Sequence, residues 1–418
     1  MIKKFFLLII LITLFVFLMI QNFDLIKNNK TFEIIEMREN NLNEFNIEDN
    51  ELKVVDIKSL ELNENTNDKS VIEIENYSEG IIKDCTIKKT GNSSKVEDSD
   101  KKGLNSAVRV NQNSNINIEN IDVFTDGLGA TGIVSVGRDS NVYIKESILN
   151  IQNDRSKGIL ATMKGNIIAE NLDIKTFGFK SSAVATDMGG GIIEIKDSSI
   201  ETHGKDSAGI YSTGNVKAES LEIKTLNTES LCIDGNGSIE INNSNLSSNG
   251  KRGVMIYYTG PSHDKNHSGT INMKNIDMKV NEGPAFYVMN SLGEIVLENV
   301  NIAIKSKIFL KASQDLYGEL GQEGAKITES DGGTVKVVAK NQKIDGDILV
   351  DEKSSVSIEL KENCVFTGKI DSDNTGISVD IDLGENSIWK LTGNSYVTSI
   401  NKKNDSQIEL NGYEIFYK

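Results

Sequence analysis

The residues best placed to do chemistry in this chain are two aspartates, Asp187 and Asp234. Each stands four residues after a small residue (Ala183, Ser230) in a strand-like segment, "SAVATD" and "ESLCID". Thr213 occupies the same place in the segment between them. In a parallel sheet the two carboxylates would lie two rungs apart, about 9.6 Å. That is near the upper end of the roughly 6.5–9.5 Å that separates the acid and base of an inverting glycosidase. No Gly-His-Gly, no Arg-x-Lys and no second Asp adjoins them, so catalysis is the alternative rather than the first expectation. His263 and His267 have a spacing that binds metal on a helix. Gly260, Pro261 and Gly269 make their segment "TGPSHDKNHSG" a loop, and no metal is expected there. Tyr257 and Tyr258 stand at the root of that loop, and long loops on rigid scaffolds often carry function. Cys85, Cys232 and Cys364 are far apart and odd in number, which argues for buried apolar thiols rather than a disulfide framework or a zinc site. Gly-rich phosphate loops and nucleophile elbows are absent from the sequence. The reading is non-enzymatic, with no cofactor.

The elements that position these residues come from a repeat that emerges near residue 70. One half of the unit alternates apolar and polar residues across a turn: "INIENIDV" (116–123), "VYIKESIL" (142–149), "IEINNSNL" (239–246), "INMKNIDM" (271–278) and "IVLENVNI" (295–302) are examples. Its turn column reads Asp84, Asn120, Glu146, Asn171, Asp197, Ser220, Asn243, Asn275, Asn299. Asn and Asp tolerate left-handed bends, so the column reads as a stacked polar ladder, and its mostly neutral side chains suit Ca²⁺ poorly. The other half begins with a small residue: Ala107, Gly132, Gly158, Ala183, Gly209, Ser230, Gly253, Ala285. Spacings of 21 to 32 residues around a fixed strand pattern indicate loops inserted into a constant cross-section. The fold class expected is all-β, a right-handed parallel β-helix.

Composition agrees. The 418 residues include 35 Gly but 2 Pro, as many short strands joined by tight turns require. A net charge of −16 excludes nucleic acid as a partner and suits a soluble surface protein. Lys3 and Lys4 precede an apolar run from Phe5 to Ile20, and no Ala occurs before Ala107 to supply a small-residue cleavage site. The expectation is a signal-anchor helix oriented N-in, with a cleaved signal peptide as alternative. The domains read as 1–22, signal-anchor or signal peptide; 23–69, stalk and N-terminal cap; 70–306, β-helix coils; and 307–418, coils of altered geometry with a C-terminal cap.

The segment "GDILVDEKSSVSIELKENCVFTGKI" (346–370), with "NSIWKLTGNSYVTSI" (386–400) and "ELNGYEIFYK" (409–418), resembles the C-terminal part of bacterial adhesin-like β-helix proteins. It is similar to the end of autotransporter passenger domains, where a Trp-x-Leu-Thr-Gly-x-Ser pattern closes the solenoid. No translocator barrel follows these residues in the sequence, so that export route is not implied. The resemblance covers about 75 residues. It implies a secreted or cell-surface adhesin-like protein whose partner is a host or environmental glycan, a matrix protein or another surface protein. Parallel β-helices also resemble pectate lyases and polygalacturonases, so the alternative is a polysaccharide-active hydrolase or lyase.

Strand parity marks where such a partner would dock. One and three positions after each small residue the side chains are apolar or small, and face the core. The residue between them points outward, yet that column reads Arg109, Val134, Leu160, Ala185, Tyr211, Cys232, Met255, Tyr287. It is either an interaction strip, with Val134, Leu160, Tyr211, Met255, Tyr287, Tyr257 and Tyr258 as contact residues, or a surface that residues 33–69 or a long loop already cover.

Overall fold

The computed structural model describes residues 33–36, 53–258, 267–314 and 332–418. The second half of the repeat forms an eleven-stranded sheet, and the first half forms part of a twenty-stranded one. Neighbouring strands in both are parallel and come from successive coils. The ladder follows the sequence columns: Val108 pairs with Ile133, Ile133 with Ile159, Ile159 with Val184, and Val184 with Ile210. It continues through Leu231 and Val254 to Phe286. This is an all-β, solenoid-like stack, and at ~4.8 Å per rung its eleven-stranded sheet is about 48 Å long.

The columns fix this register because one face is buried. Ile133, Ile159, Val184, Ile210, Leu231 and Phe286 are wholly buried in the core between the sheets, and a slip of one residue would turn each outward. Long strands such as Asn141–Ile151 and Ser238–Ser248 bend at the turn column. All nine residues of that column have φ between 51° and 55°, a conformation that Asn and Asp adopt more readily than other L-residues. Part of the column is hydrogen-bonded rung to rung, with Asn120 Nδ2 donating to Asp84 Oδ1 at 2.7 Å and Asn275 Nδ2 to Asn243 Oδ1 at 3.0 Å. All three cysteines are free and buried.

Toward the N-terminus the ladder continues below residue 70. Lys53–Lys58 pairs with Glu79–Lys83, Glu61–Glu64 with Thr86–Lys89, and Glu33–Glu36 with residues 53–56. The expected anchor at 1–22 lies outside the described residues, among which no helix is long and apolar enough to cross a membrane. Beyond residue 342 the cross-section changes. A separate four-stranded sheet stacks Lys343–Asp345, Val365–Thr367, Ile388–Lys390 and Gln407–Glu409. Phe366 and Trp389 stack within it, centroids 6.0 Å apart, and Trp389 Nε1 donates to Gly368 O at 3.0 Å.

One insertion interrupts the β pattern. Between Thr86–Lys89 and Val108–Val110 the chain forms a seven-residue helix, Val96–Lys102. Glu97 and Asp98 in its first turn and Lys101 and Lys102 in its last complement the helix dipole. Gly103 ends it at φ 63°, its N–H bonded to Ser99 O at 2.8 Å.

Candidate functional site

The helix lies on the outward face of the eleven-stranded sheet and splits the apolar column in two. Gly103 packs so closely on Val134 that a Cβ there would meet Val134 Cγ2 at 2.5 Å. Ser99 Oγ donates to Gly129 O, and Thr162 Oγ1 to Lys101 O, each at 2.8 Å. Asp100 pairs with Lys157, and with Arg155 at 3.6 Å, largely out of solvent. Val134, Leu160 and Ala185 are wholly buried, with Tyr211 packed against the same cluster. Of the contact residues expected from strand parity, Val134 and Leu160 therefore present no surface to a partner. The cover is a loop, as one of the two sequence readings allowed, but it comes from residues 90–106 rather than 33–69.

Past the helix the column opens into a groove of about 1320 Å³. Tyr211, Cys232 and Met255 lie in its floor, from the strands Ile210–Ser212, Leu231–Asp234 and Val254–Tyr257. Tyr257 and Tyr258 line it as well. Tyr287 is not part of the lining: it is buried beside Met255, its ring between Arg252 (5.1 Å) and Lys311 (5.0 Å), and its hydroxyl accepts from Ser313 Oγ at 2.9 Å. Of the seven residues singled out in the sequence, Tyr211, Met255, Tyr257 and Tyr258 thus share one groove.

The walls are charged. The turns that lead into the strands carry Arg155, Lys157, Lys180, Lys205, Asp206, Glu229 and Arg252. The strand ends Asp187 and Asp234, and Met188, Thr213 and Asn236 in the turns that leave the strands, line the other side, with His267 behind. Glu229 and Arg252 form a buried ion pair, and Thr228 Oγ1 donates to Glu229 Oε2 at 2.6 Å. Lys180 Nζ lies 5.3 Å from the Phe179 ring. Tyr258 stacks on His267 with centroids 3.5 Å apart. His263 lies outside the described residues, and among these no group of three or more His, Cys, Asp or Glu is placed to hold a metal.

Both aspartates face this groove. Asp187 extends the rung that pairs it with Thr162, and Asp234 pairs with Tyr257. With Thr213 on the rung between, the two are about 9.6 Å apart along the stack. Tyr211 reaches across, its hydroxyl donating to Asp234 Oδ2 at 3.1 Å. Burial raises the pKa of Asp187, against a 2.6 Å hydrogen bond from the Met188 N–H. Burial, with Asp234 beside it, pushes the Tyr211 phenol well above its ordinary value; burial does the same to Tyr257 and to the Cys232 thiol. None of these three groups is poised to ionise near neutral pH, so the floor offers hydroxyl and thiol hydrogen-bonding groups rather than nucleophiles.

No protein-family model matches this chain, and no curated protein matches it.

Proposed function

We propose that this chain is a non-catalytic, adhesin-like binding protein of a bacterial surface, built on a right-handed parallel β-helix. Handedness follows from the strong preference of parallel strand–connection–strand units for the right-handed crossover. In this reading the N-terminal apolar segment holds or exports the chain, and the groove engages a host or environmental glycan or a matrix protein. The observation that carries it is the groove itself, lined by Tyr211, Tyr257 and Tyr258 and walled by charged side chains, on a sheet held in register by a buried ladder. Tyrosines beside fixed charges suit a sugar, which offers an apolar ring face and a rim of hydroxyls. An array of glycans and matrix proteins tests this directly. Capture of a defined set that disappears when Met188→Trp and Asn236→Trp fill the groove supports it, whereas capture unaffected by both puts the ligand elsewhere.

A second reading, a polysaccharide hydrolase, is favoured by one observation: Asp187 and Asp234 share the groove, and the first is held toward its protonated form. Two carboxyls at that separation, one with its pKa raised by burial, could serve as acid and base with inversion. Cleavage of a polysaccharide that is lost in Asp187→Asn and in Asp234→Asn would establish it.

A further inference from the structure

We propose that two copies of this chain join end to end through the coil of residues 399–418, their strands pairing antiparallel about a two-fold axis. The inference is independent of what the groove binds. Ser399–Lys402, Gln407–Glu409 and Ile415–Tyr417 are the three sides of that coil. They pair inward with Ser378–Glu385, Ile388–Lys390 and Ser395–Val397. Among the described residues no strand pairs with their outer edges. The one described helix lies far down the stack, against Val134. Backbone N–H and C=O groups on three sides of one opening are therefore left without a strand partner.

The core is cut open there. One rung in, Ile381, Trp389 and Val397 are buried. Their partners on the outermost rung, Ile400, Ile408 and Tyr417, are not, and Tyr417 stays 68% exposed above Val397. Leu410 and Tyr413, in the turn between the last two strands, are exposed as well. A core cut in half is how the interface of a permanent dimer looks.

The outline of this end specifies the occupant. A single peptide strand satisfies one edge of the three. Only an object with the same three-sided outline pairs with all of them and covers the apolar opening at once, and the end of a second copy is such an object. Residues 399–418 also match the roughly 20–30 residues a side of a standard specific interface. Charge agrees. The chain as a whole carries −16, which holds copies apart, but this coil balances Lys402, Lys403 and Lys418 against Asp405, Glu409 and Glu414. A two-fold axis through the middle of Gln407–Glu409 lays that strand on its own copy, Gln407 opposite Glu409 and Ile408 opposite Ile408. The same axis lays Ser399–Lys402 antiparallel on Ile415–Tyr417 of the other copy. Lys402 and Lys403, at the end of the one strand, then meet Glu414 at the start of the other. Such an interface is closed, so growth stops at two.

The test is analytical ultracentrifugation of the full chain in a density-matched detergent, with circular dichroism to report the fold. Wild type is expected to sediment as a dimer at micromolar concentration. Glu414→Lys, counted twice by symmetry, should weaken the dimer about tenfold. Lys402→Glu with Lys403→Glu should do the same, each with an unchanged β signal. Combining all three substitutions restores opposite charges and should recover the dimer. A monomer at every concentration, a ladder of larger assemblies, a dimer that neither reversal weakens, or a combination that recovers nothing overturns the inference.

Discussion

The two halves of one strand face have opposite fates. Val134, Leu160 and Ala185 lie on the same sheet and in the same outward column as Tyr211, Cys232 and Met255, and are joined to them rung by rung. Beneath the helix the first three are dry, sealed by the ion pairs of Asp100. Beyond it Tyr211 is half-buried, and Cys232 and Met255, though buried, back a groove rimmed by fixed charge. Neither backbone geometry nor side-chain parity separates the halves. The difference is a short insertion between two turns: it covers one half of the apolar face and leaves the other half backing a groove.

The sharpest way to break this contrast is to place the same charge in both halves. Leu160→Lys buries an ammonium under the helix and should cost about 4 kcal/mol in chemical denaturation. Tyr211→Lys points into the groove and should cost no more than about 1–2 kcal/mol. Similar losses at the two sites would mean that the groove is as closed as the covered half. Next in size is Asp100→Ala, which leaves Lys157 almost fully buried with its countercharge removed. We expect a loss of about 3 kcal/mol and, in hydrogen exchange, fraying of residues 96–103 before the sheet.

A smaller effect belongs to the frame that both halves share. Asn275→Ala puts an alanine at φ 54° and removes its hydrogen bonds to Asn243 and Asn299, at a cost of about 1–2 kcal/mol. Asn275→Gly should recover most of that loss, because glycine adopts this conformation freely. Smallest is a pH effect at the groove. The folded-state pKa of Asp187 is raised by burial, so the folded chain holds this proton more tightly than the unfolded chain does. The group's favourable contribution is complete below the ordinary aspartate value and is lost as pH rises through the raised one. Asp187→Asn should therefore stabilise the protein modestly at neutral pH, with the gain vanishing in acid; a variant less stable than wild type at neutral pH would contradict this.

Much of this was legible in the sequence. The small-residue column and the two apolar columns around it specified the register, since every residue in them alternates with period two. The turn column could be read because Asn and Asp at a bend have a physical reason to be there. What covers the outward strip was harder to read. The segment "VEDSDKK" has no apolar face, because the contact with Val134 is made by the bare backbone of Gly103. The available signal was its charge order, acid before base, followed by glycine. The basic groups among the charges around the groove were missed for a different reason. Arg155, Lys180 and Lys205 recur at intervals of 25 residues, so a signal was present, but they lie in turns outside the strand columns, where strand parity does not say which way a side chain points. Asp187 and Asp234 were found because they lie at strand ends, where the rung count is reliable.

The central claim is that the open half is a binding groove and not a catalytic one. The most direct measurement follows one glycan array with wild-type protein, the groove-filled Met188→Trp/Asn236→Trp variant and the Asp187→Asn/Asp234→Asn variant, analysing the released material for cleavage. The account predicts capture by wild type and by the aspartate variant, loss of capture in the filled variant with melting changed by a few degrees at most, and no cleaved product. Capture that survives filling of the groove, or cleavage that the aspartate substitutions abolish, would contradict it.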